Sequence, residues 1–418
     1  MRKSAILILL VIFSLALTAT NLFGQTRELV VRVVDEKLSA VVDSLAKIRP
    51  SDVGRESAIK FERVFRHAGK HEAKHRKYGL HEWYRIIYAP HVIDKTAIIR
   101  KLRPMVDLIE ESEFQVQSLP LPADSLFDQQ WNFRNVGQMR GTPKADIDLV
   151  NAHRLEKGKR EVVVSVHDSG IDLLHPDLKN NLWINSGEIP DNHVDDDDNG
   201  YVDDVHGWNF VEKNNDLQDT DGHGTHVSGV IAAKADEIGM IGIAGGDHQD
   251  NGVRIMVCRL DDDPPGLHII NPEESIIYAA DNGAIISQNS WNSFGISYTV
   301  KAAIAYFSAE ARNSMMDGGV VVFSAGNNGS MEPRFENDHP RVIMAGNIDH
   351  NNKIHPYSNF GPWLDLCAPG TDILSAHLFG SWKNMSGTSM AAPHVSGVGA
   401  LVASRFGYPT FSPHTLIK

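Results

Sequence analysis

The feature that most constrains the fold is a repeat of apolar, strand-like runs that alternate with helical stretches. Residues 162–166 read Val-Val-Val-Ser-Val, a β-branched run without polar alternation, which is typical of a buried parallel strand. Further strands are expected at 253–260, 284–287, 320–324 and 342–346, and helices at 224–234, 272–282 and 298–316. Repeated strand–helix–strand order predicts an α/β domain built on a doubly wound parallel sheet.

Polar side chains follow three of these strands, at the point where each strand ends. Asp168 comes after the first run, Asn289 follows the strand at 284–287, and Asn327 follows the strand at 320–324. In open parallel sheets, ligands bind outside the carboxyl ends of the strands. The sequence therefore predicts that these side chains converge on one edge of the sheet.

Two more polar side chains open predicted helices. His223 lies in the segment DGHGTHVSG at 221–229, and Ser389 lies in GTSMAAPHVSG at 387–397. A hydroxyl at a helix start is near the positive end of the macrodipole, where negative charge is favoured. Pro393 is expected in the first turn, where its missing N–H has no cost. Read alone, the second segment also fits an ordinary buried helix capped by serine.

These residue types match the requirements of amide hydrolysis. The reaction needs a nucleophile, a base that deprotonates it, a carboxylate that orients the base, and a donor for the developing oxyanion. Ser389, His223, Asp168 and Asn327 are one candidate for each role, at four element ends of one sheet. Each of these residues alone is also explained as a turn former or a helix cap. The hypothesis of a hydrolase therefore rests on all four residues occurring together at element ends of one sheet.

The three segments resemble the signatures of the subtilisin-like serine proteases, the subtilase family. The matching motifs are DSG at 168–170, HGTHVSG at 223–229 and GTSMAAPH at 387–394, in the chain order Asp, His, Ser. The resemblance covers about residue 127 to the end of the chain. It implies a secreted serine endopeptidase in which Ser389 is the nucleophile, His223 the general base and acid, and Asp168 its partner. Asn327 and the Ser389 N–H would hold the oxyanion, whereas His226 and His394 are expected only to pack and hydrogen-bond.

The resemblance also implies a substrate groove. The segment Asn289-Ser290-Trp291-Asn292 is similar to the edge strand that pairs with the substrate backbone in relatives. The substrate-binding residues expected from this match are Ser290, Trp291 and Asn292 on one wall, and Ala325 and Gly326 on the other. Many relatives have glycine at the position of Asn292, so a narrower groove is expected here.

The acidic stretch 195–204 predicts a calcium site. In a calcium-binding loop, oxygen ligands stand at positions one, three and five and a glycine forms the turn at position six. A backbone carbonyl at position seven and a ligand at position nine follow. The ligands predicted from this spacing are Asp195, Asp197, Asn199, Tyr201 and Asp203. Position twelve is His206 instead of glutamate, so the loop is not a regular EF-hand, and a solvated acidic loop is the alternative. Asp177, in His-Pro-Asp-Leu, resembles a further calcium ligand of the family.

The N-terminal part predicts export and a separate small unit. Residues 1–25 have a basic start and a short apolar run, which is typical of a secretory signal peptide; a membrane anchor is the alternative. Residues 26–118 show strand–helix–strand–helix–strand order, which predicts a small α+β domain of the split βαβ, ferredoxin-like type. Its position resembles that of the family's inhibitory propeptide, and an accessory domain is the alternative. A Pro-rich linker is expected at 119–126, with the maturation cut between 116 and 124.

The catalytic domain is then expected at 127–418, truncated at its C-terminus. The formal net charge of −13 argues against nucleic-acid binding, and two cysteines cannot form a disulfide framework. The expected partners are protein or peptide substrates and the chain's own propeptide, the protein being monomeric, extracellular or at the cell surface, with no membrane span after signal removal. An inactive groove that only binds peptides, and a calcium-dependent interaction protein, are the alternative functions.

Overall fold

A computed structural model describes residues 27–46, 59–65, 67–88, 93–111, 121–261, 269–291, 297–333 and 339–417. The predicted signal peptide lies outside these residues. The chain divides into two compact units between Gln117 and Ser118. No helix of the described residues is both long and apolar enough to cross a membrane.

The first unit is a four-stranded antiparallel sheet with helices. Its elements are β1 (Arg27–Arg32), α1 (Leu38–Ala46), β2 (Ile59–Arg63), α2 (Glu72–Lys77), β3 (Trp83–Tyr88), α3 (Lys95–Leu102) and β4 (Leu108–Glu111). The strand order is β2-β3-β1-β4, and β3 pairs antiparallel with both β1 and β2. Strands β1 and β2 are therefore parallel with β3 between them, which is the expected split βαβ arrangement.

Two elements of this unit differ in how clearly their own sequences predict them. Asp94 caps α3, because its carboxylate accepts a hydrogen bond from the Thr96 N–H at 2.9 Å. Strand β2 has only a weak signal in its own sequence, because IKFER has only two apolar residues and its apolar–polar alternation is short. Pairing with β3 over five residues makes it a strand.

The second unit is the predicted α/β domain. Its elements are α4 (Leu149–Ala152), β5 (Val163–Asp168), β6 (Gly207–Asn209), α5 (His223–Ala232), β7 (Arg254–Arg259), α6 (Pro272–Asp281), β8 (Ile286–Asn289), α7 (Tyr298–Glu310), β9 (Val320–Ser324), β10 (Val342–Ile348), β11 (Leu366–Pro369), β12 (Ile373–His377), β13 (Ser381–Met385), α8 (Thr388–Phe406) and α9 (Pro413–Ile417). Seven strands form one parallel sheet in the order β11-β10-β9-β8-β5-β7-β6. Strands β12 and β13 form a separate antiparallel hairpin.

Both faces of the large sheet are covered, which confirms the doubly wound fold. Along β5, Val164 and Val166 pack in the core that includes α5 and α8. Val163 points to the opposite face and packs in the core that includes α6 and α7. Every residue of β5 is buried, as its unbroken β-branched sequence predicts.

Two details of the helices differ from the sequence expectation. Helix α7 ends at Glu310 and not at residue 316, because Ala311 adopts an extended ψ of 125° and its carbonyl accepts a hydrogen bond from Gly318. Pro393 lies inside α8 and not in its first turn, because the helix already begins at Thr388. Proline has no N–H, so the carbonyl four residues earlier, that of Ser389, is left without its helical donor.

Candidate active site

The candidate residues follow three neighbouring strands of the large sheet. Asp168 is the last residue of β5, Ser290 follows β8, and Asn327 lies three residues beyond β9. These strands are adjacent in the order β9-β8-β5 and are parallel, so their carboxyl ends share one edge. Helices α5 and α8, which carry His223 and Ser389, pack against each other on one face of this sheet.

Asp168 and His223 form a close pair. The Nδ1 of His223 is 2.7 Å from Oδ1 of Asp168, which also accepts the Ser169 N–H at 2.8 Å. Asp168 is 5% exposed, so its charge acts in a poorly solvated setting. Burial by itself lowers the pKa of His223, but the charge and hydrogen bond of Asp168, with the charges of Asp221 and Asp219, outweigh it, and the net pKa is raised. The pair therefore stabilises a histidinium that forms on proton transfer.

A buried carboxylate that the sequence analysis did not select holds the start of α5. Asp219 accepts hydrogen bonds from the Gly222 N–H, the Thr225 N–H and the hydroxyls of Thr225 and Ser169, at 2.6–2.9 Å. The Ser169 hydroxyl in turn accepts the Gly224 N–H at 2.9 Å. This network ties the first turn of α5 to the residue next to Asp168. Asp219 lies three residues before Gly222, the N-cap of α5, so the usual capping pattern in the sequence does not reveal it.

Gly222, directly before His223, is required by both conformation and space. Its φ is 92°, a left-handed conformation that side chains rarely adopt. A Cβ at this position would lie 2.5 Å from Nε2 of His377 in β12. A larger residue at 222 would therefore shift His223 or the β12–β13 hairpin.

Ser389 lies in the first turn of α8, and its hydroxyl is oriented by the strand-end segment. Its Oγ donates to the Ser290 carbonyl at 3.1 Å and makes no hydrogen bond to His223. Catalytic hydrogen bonds are often long in unliganded enzymes and form with bound substrate. The structure thus pairs Asp168 with His223 and Ser389 with Ser290.

The amide of Asn327 is held in one orientation by Thr388. Oδ1 of Asn327 accepts hydrogen bonds from the N–H of Thr388 at 2.9 Å and from its hydroxyl at 3.0 Å. The same hydroxyl accepts the Gly326 N–H at 3.1 Å. Among the described residues Nδ2 of Asn327 has no acceptor, and the residue is exposed. The free end of this side chain is therefore a hydrogen-bond donor beside Ser389.

The predicted groove residues that the structure describes are all buried, including Ser290 at 6% exposure. Ala325 and Gly326 are buried, and their segment is fixed by hydrogen bonds from the Ala325 N–H to Ala345 and from the Asn359 N–H to Gly326. Trp291 is 8% exposed and packs edge-on against Phe323, with ring centroids 5.1 Å apart. Asn292 lies outside the described residues.

The acidic loop brings together a different set of carboxylates from the predicted one. Ligand oxygens of Glu188, Asp197 and Asp204 lie within 4.8 Å of one another. Asp195 instead accepts the N–H groups of Asn199 and Gly200, and Asp203 accepts those of Asn192 and His193. Of the predicted ligands, only Asp197 belongs to the three-carboxylate group.

The other two predicted ligands shape the loop around this group. The Nδ2 of Asn199 donates to Asp197 at 3.3 Å and to Asp204 at 3.2 Å. Tyr201 packs its ring against Trp208 and Tyr278. Burial raises the pKa of Asp204 to about 6 in spite of hydrogen bonds from Tyr278 and two asparagine amides. Hard oxygen donors around a buried carboxylate that has hydrogen bonds but no cationic side chain among the described residues fit a calcium ion.

Asp177 lies at a second position, apart from the acidic loop. Its Oδ2 accepts hydrogen bonds from the Trp382 Nε1 at 2.7 Å and the Met240 N–H at 3.1 Å, whereas its Oδ1 is buried without a partner. Oδ1 of Asp236 is also buried without a partner. Burial, together with the charges of Asp236 and Asp124, raises the pKa of Asp177 to about 7. Orphaned carboxylate oxygens of this kind fit a cation that the protein chain itself does not supply.

A parallel sheet whose edge carries an Asp–His pair, a serine at a helix start and an oriented amide is the arrangement found in serine hydrolases of the α/β class. Residues 159–418 match the family model described as "Subtilase family". The chain belongs to the subtilase family, which confirms the resemblance noted from its motifs.

Known relatives agree with this assignment. The chain is 34% identical over 249 residues to the "Thermophilic serine proteinase" of Bacillus sp. (strain AK1), covering 60% of this chain and 54% of that protein. It is 31% identical over 243 residues to "Thermitase" of Thermoactinomyces vulgaris, covering 58% of this chain and 75% of that one. A solved protease structure from Pseudoalteromonas arctica matches with a TM-score of 0.54 at 24% identity, over 71% of this chain and 90% of that chain, which supports the fold. The chain thus spans about half the length of the first of these relatives.

Proposed function

We propose that this chain is a serine endopeptidase that hydrolyses peptide bonds through an acyl-enzyme. The observation that carries the proposal is the 2.7 Å Asp168–His223 pair at the sheet edge that also holds Ser389 and Asn327. Protein or peptide substrates would bind along the segment 289–292 and the facing segment 325–326, by strand addition. The relatives' printed names describe serine proteinases, which agrees with this chemistry.

The mechanism follows from the positions of the four side chains. His223 takes the proton from Ser389 Oγ as the oxygen attacks the substrate carbonyl, and the charge on His223 is stabilised by Asp168. The Nδ2 of Asn327 and the Ser389 N–H donate to the oxyanion of the tetrahedral intermediate. His223 then gives its proton to the leaving amine, and water repeats the sequence on the acyl-enzyme with His223 again as the base.

The same proposal covers maturation. Residues 1–25 would direct export to the cell exterior or surface, and residues 26–118 would inhibit the enzyme until it cuts itself between 116 and 124. A boundary before the end of the proposed linker at 119–126 is supported by two of its residues. Asp124 and Leu126 hydrogen-bond to residues 236–239 and so belong to the second unit. The processed protein would act as a monomer on extracellular proteins.

Covalent labelling of Ser389 tests the proposed chemistry. A biotinylated fluorophosphonate is expected to label the wild type at Ser389 with a stoichiometry near one, because an activated serine attacks phosphorus as it attacks a carbonyl. Peptide mass spectrometry locates the label. His223→Ala should remove labelling while retaining the fold, since the base is lost. Label at another serine, or no dependence on His223, would contradict the proposal.

We further propose that calcium binds the folded protein at two positions. Glu188, Asp197 and Asp204 would hold one ion and Asp177, with its neighbour Asp236, another; the ions would be structural and take no part in bond cleavage. An ion that binds only the folded state adds about 2.7 kcal/mol at a hundredfold excess over its Kd. Its removal would leave Asp204 buried and unpaired.

Chelation is therefore expected to lower thermal stability. The melting temperature of the Ser389→Ala protein should fall by several degrees when EGTA replaces millimolar calcium. Asp204→Asn should reduce the number of tightly bound calcium ions, measured by atomic emission after dialysis, by one. Asp198→Asn is the matched control, because Asp198 is exposed in the same loop and outside the three-carboxylate group. Equal calcium binding by both variants would contradict the loop site.

Acid should destabilise the fold through a buried histidine beside the site. Burial lowers the pKa of His167 to about 3, and its ring bonds to the hydroxyls of Ser165 and Ser275. In the unfolded chain this histidine binds a proton near pH 6.5, whereas in the folded protein it stays neutral down to about pH 3. The full stability of the fold is therefore present above pH 6.5 and is lost progressively as the pH falls toward 3. Between pH 7.5 and 5, the unfolding free energy of wild type should drop about 2 kcal/mol more than that of His167→Gln. Urea denaturation in the Ser389→Ala background measures this difference, and equal drops would contradict it.

A further inference from the structure

The carbonyl of Ser389 ends a buried chain of side-chain hydrogen bonds. Pro393 leaves this carbonyl without a helical donor, and the hydroxyl of Ser290 donates to it at 2.7 Å. The Ser389 hydroxyl donates in the other direction, to the Ser290 carbonyl, at 3.1 Å. The two residues are thus joined at two points, and both the hydroxyl and the peptide group of Ser389 are held by residue 290.

Two more buried side chains continue this chain away from the sheet edge. The amide nitrogen Nε2 of Gln288 lies 2.8 Å from Ser290 Oγ, and the Ser396 hydroxyl lies 2.5 Å from Gln288 Oε1. Gln288 and Ser396 are fully buried, and Ser290 is 6% exposed. Gln288 comes from β8 and Ser396 from the third turn of α8, so the chain bridges the strand and the helix that meet at Ser389.

The direction of every bond in this chain is fixed by its last member. The Ser389 carbonyl can only accept, so Ser290 must use its single proton there. Ser290 must then accept from Gln288, which places the NH₂ group toward Ser290 and the amide oxygen toward Ser396. Ser396 must donate to that oxygen. A change at Gln288 therefore removes the amide donor that holds the Ser290 oxygen in place and loosens the hydroxyl that donates to Ser389, although Gln288 makes no hydrogen bond to Ser389 itself.

We propose that Gln288 and Ser396 are positioning residues for the nucleophile, acting through the Ser290 hydroxyl. This inference rests on the proposed function, in which the Ser389 N–H and Oγ both take part in catalysis. If the hydroxyl proton of Ser290 points elsewhere, the Ser290 Oγ and the Ser389 carbonyl oxygen face each other at 2.7 Å without a proton between them. The first turn of α8 must then move. Small displacements of a nucleophile are felt mainly in the transition state, so kcat should change and KM should not.

A double-mutant cycle on kcat tests the proposal. Ser290→Ala, which keeps the backbone carbonyl, should lower kcat for a chromogenic peptide substrate about tenfold, and Gln288→Met about fivefold, as loss of one buried hydrogen bond predicts. The double variant should be no slower than Ser290→Ala alone, because Gln288 acts only through that hydroxyl. Ser396→Ala should resemble Gln288→Met, and KM should stay within about twofold in all of them.

Ser404→Ala is the matched control, because Ser404 is a fully buried serine of the same helix whose hydroxyl has no hydrogen-bond partner in the described structure. Its kcat should equal that of the wild type. Multiplicative losses in the double variant, losses carried by KM, or a slow control would overturn the proposal. If the wild type itself neither hydrolyses substrate nor reacts with a fluorophosphonate, the proposed function fails. Crystal structures of wild type and Ser290→Ala then decide the positioning role, which requires the first turn of α8 to shift in the variant.

Discussion

Ser389→Ala is expected to lower casein hydrolysis by at least about 10⁴-fold, because no other group can form the acyl-enzyme once the hydroxyl is gone. The fold should persist, since the hydroxyl makes a single hydrogen bond, to the Ser290 carbonyl, worth about 1 kcal/mol. If the enzyme processes itself, the full chain should also remain uncut between residues 116 and 124. Casein assays and mass spectrometry of the purified proteins, with calcium present, measure both effects.

Ser386→Ala is the appropriate control for this experiment. Ser386 is an exposed serine three residues earlier, and its hydroxyl accepts the Asp372 N–H at 2.8 Å. It should hydrolyse casein and process itself as the wild type does. Retained hydrolysis in Ser389→Ala would exclude Ser389 as the nucleophile. A folded wild type that cleaves nothing would instead favour a peptide-binding module or a calcium-dependent interaction protein.

The sequence predicts those parts of the molecule that depend on local patterns. Five of the strands in the large sheet are apolar runs with clear ends, and the parallel sheet then places Asp168 and Asn327 at one edge. Asn289, which was also predicted there, is the fully buried last residue of β8, and Ser290 is the residue that follows the strand. Strand β2 escapes such a prediction because its short, charged sequence becomes a strand only by pairing with β3. The predicted end of α7 is wrong because the sequence contains no helix-breaking residue before the glycines at 318–319, although the helix ends at Glu310.

The side chains that support the site depend on contacts between distant segments, and the sequence does not display these. Glu188 and Asp204 join Asp197 only because the loop folds back on itself, so spacing along 195–203 selected neighbours that hydrogen-bond to backbone instead. Gln288 and Ser396 are 108 residues apart, and each looks like an ordinary polar residue in an apolar element. Patterns therefore predict the candidate reactive groups, whereas packing determines which groups hold them in place.

Asn327→Leu is expected to reduce kcat about 10²- to 10³-fold with little change in KM, because its Nδ2 would meet the oxyanion only as negative charge develops. The leucine has a similar size but cannot donate a hydrogen bond. Thr388→Val should give a smaller loss of about five- to tenfold, since it removes the hydroxyl bond to Oδ1 of Asn327 and leaves the amide held by the backbone N–H of residue 388 alone. In the Asn327→Leu background, Thr388→Val should then have almost no further effect on kcat.

Asn328→Leu provides the comparison that separates donor loss from surface change. Asn328 is the next residue and is likewise exposed. Within the described structure its hydrogen bond is made by the backbone N–H, to Asn359, and not by its side chain. Its kcat and KM should match the wild type in steady-state assays with the same peptide substrate. If Asn327→Leu raises KM and leaves kcat unchanged, Asn327 binds the ground state and the oxyanion must be held elsewhere. If Thr388→Val is as harmful as Asn327→Leu and the two losses multiply, Thr388 acts on Ser389 directly, because an effect transmitted by the amide cannot exceed or add to the loss of that amide.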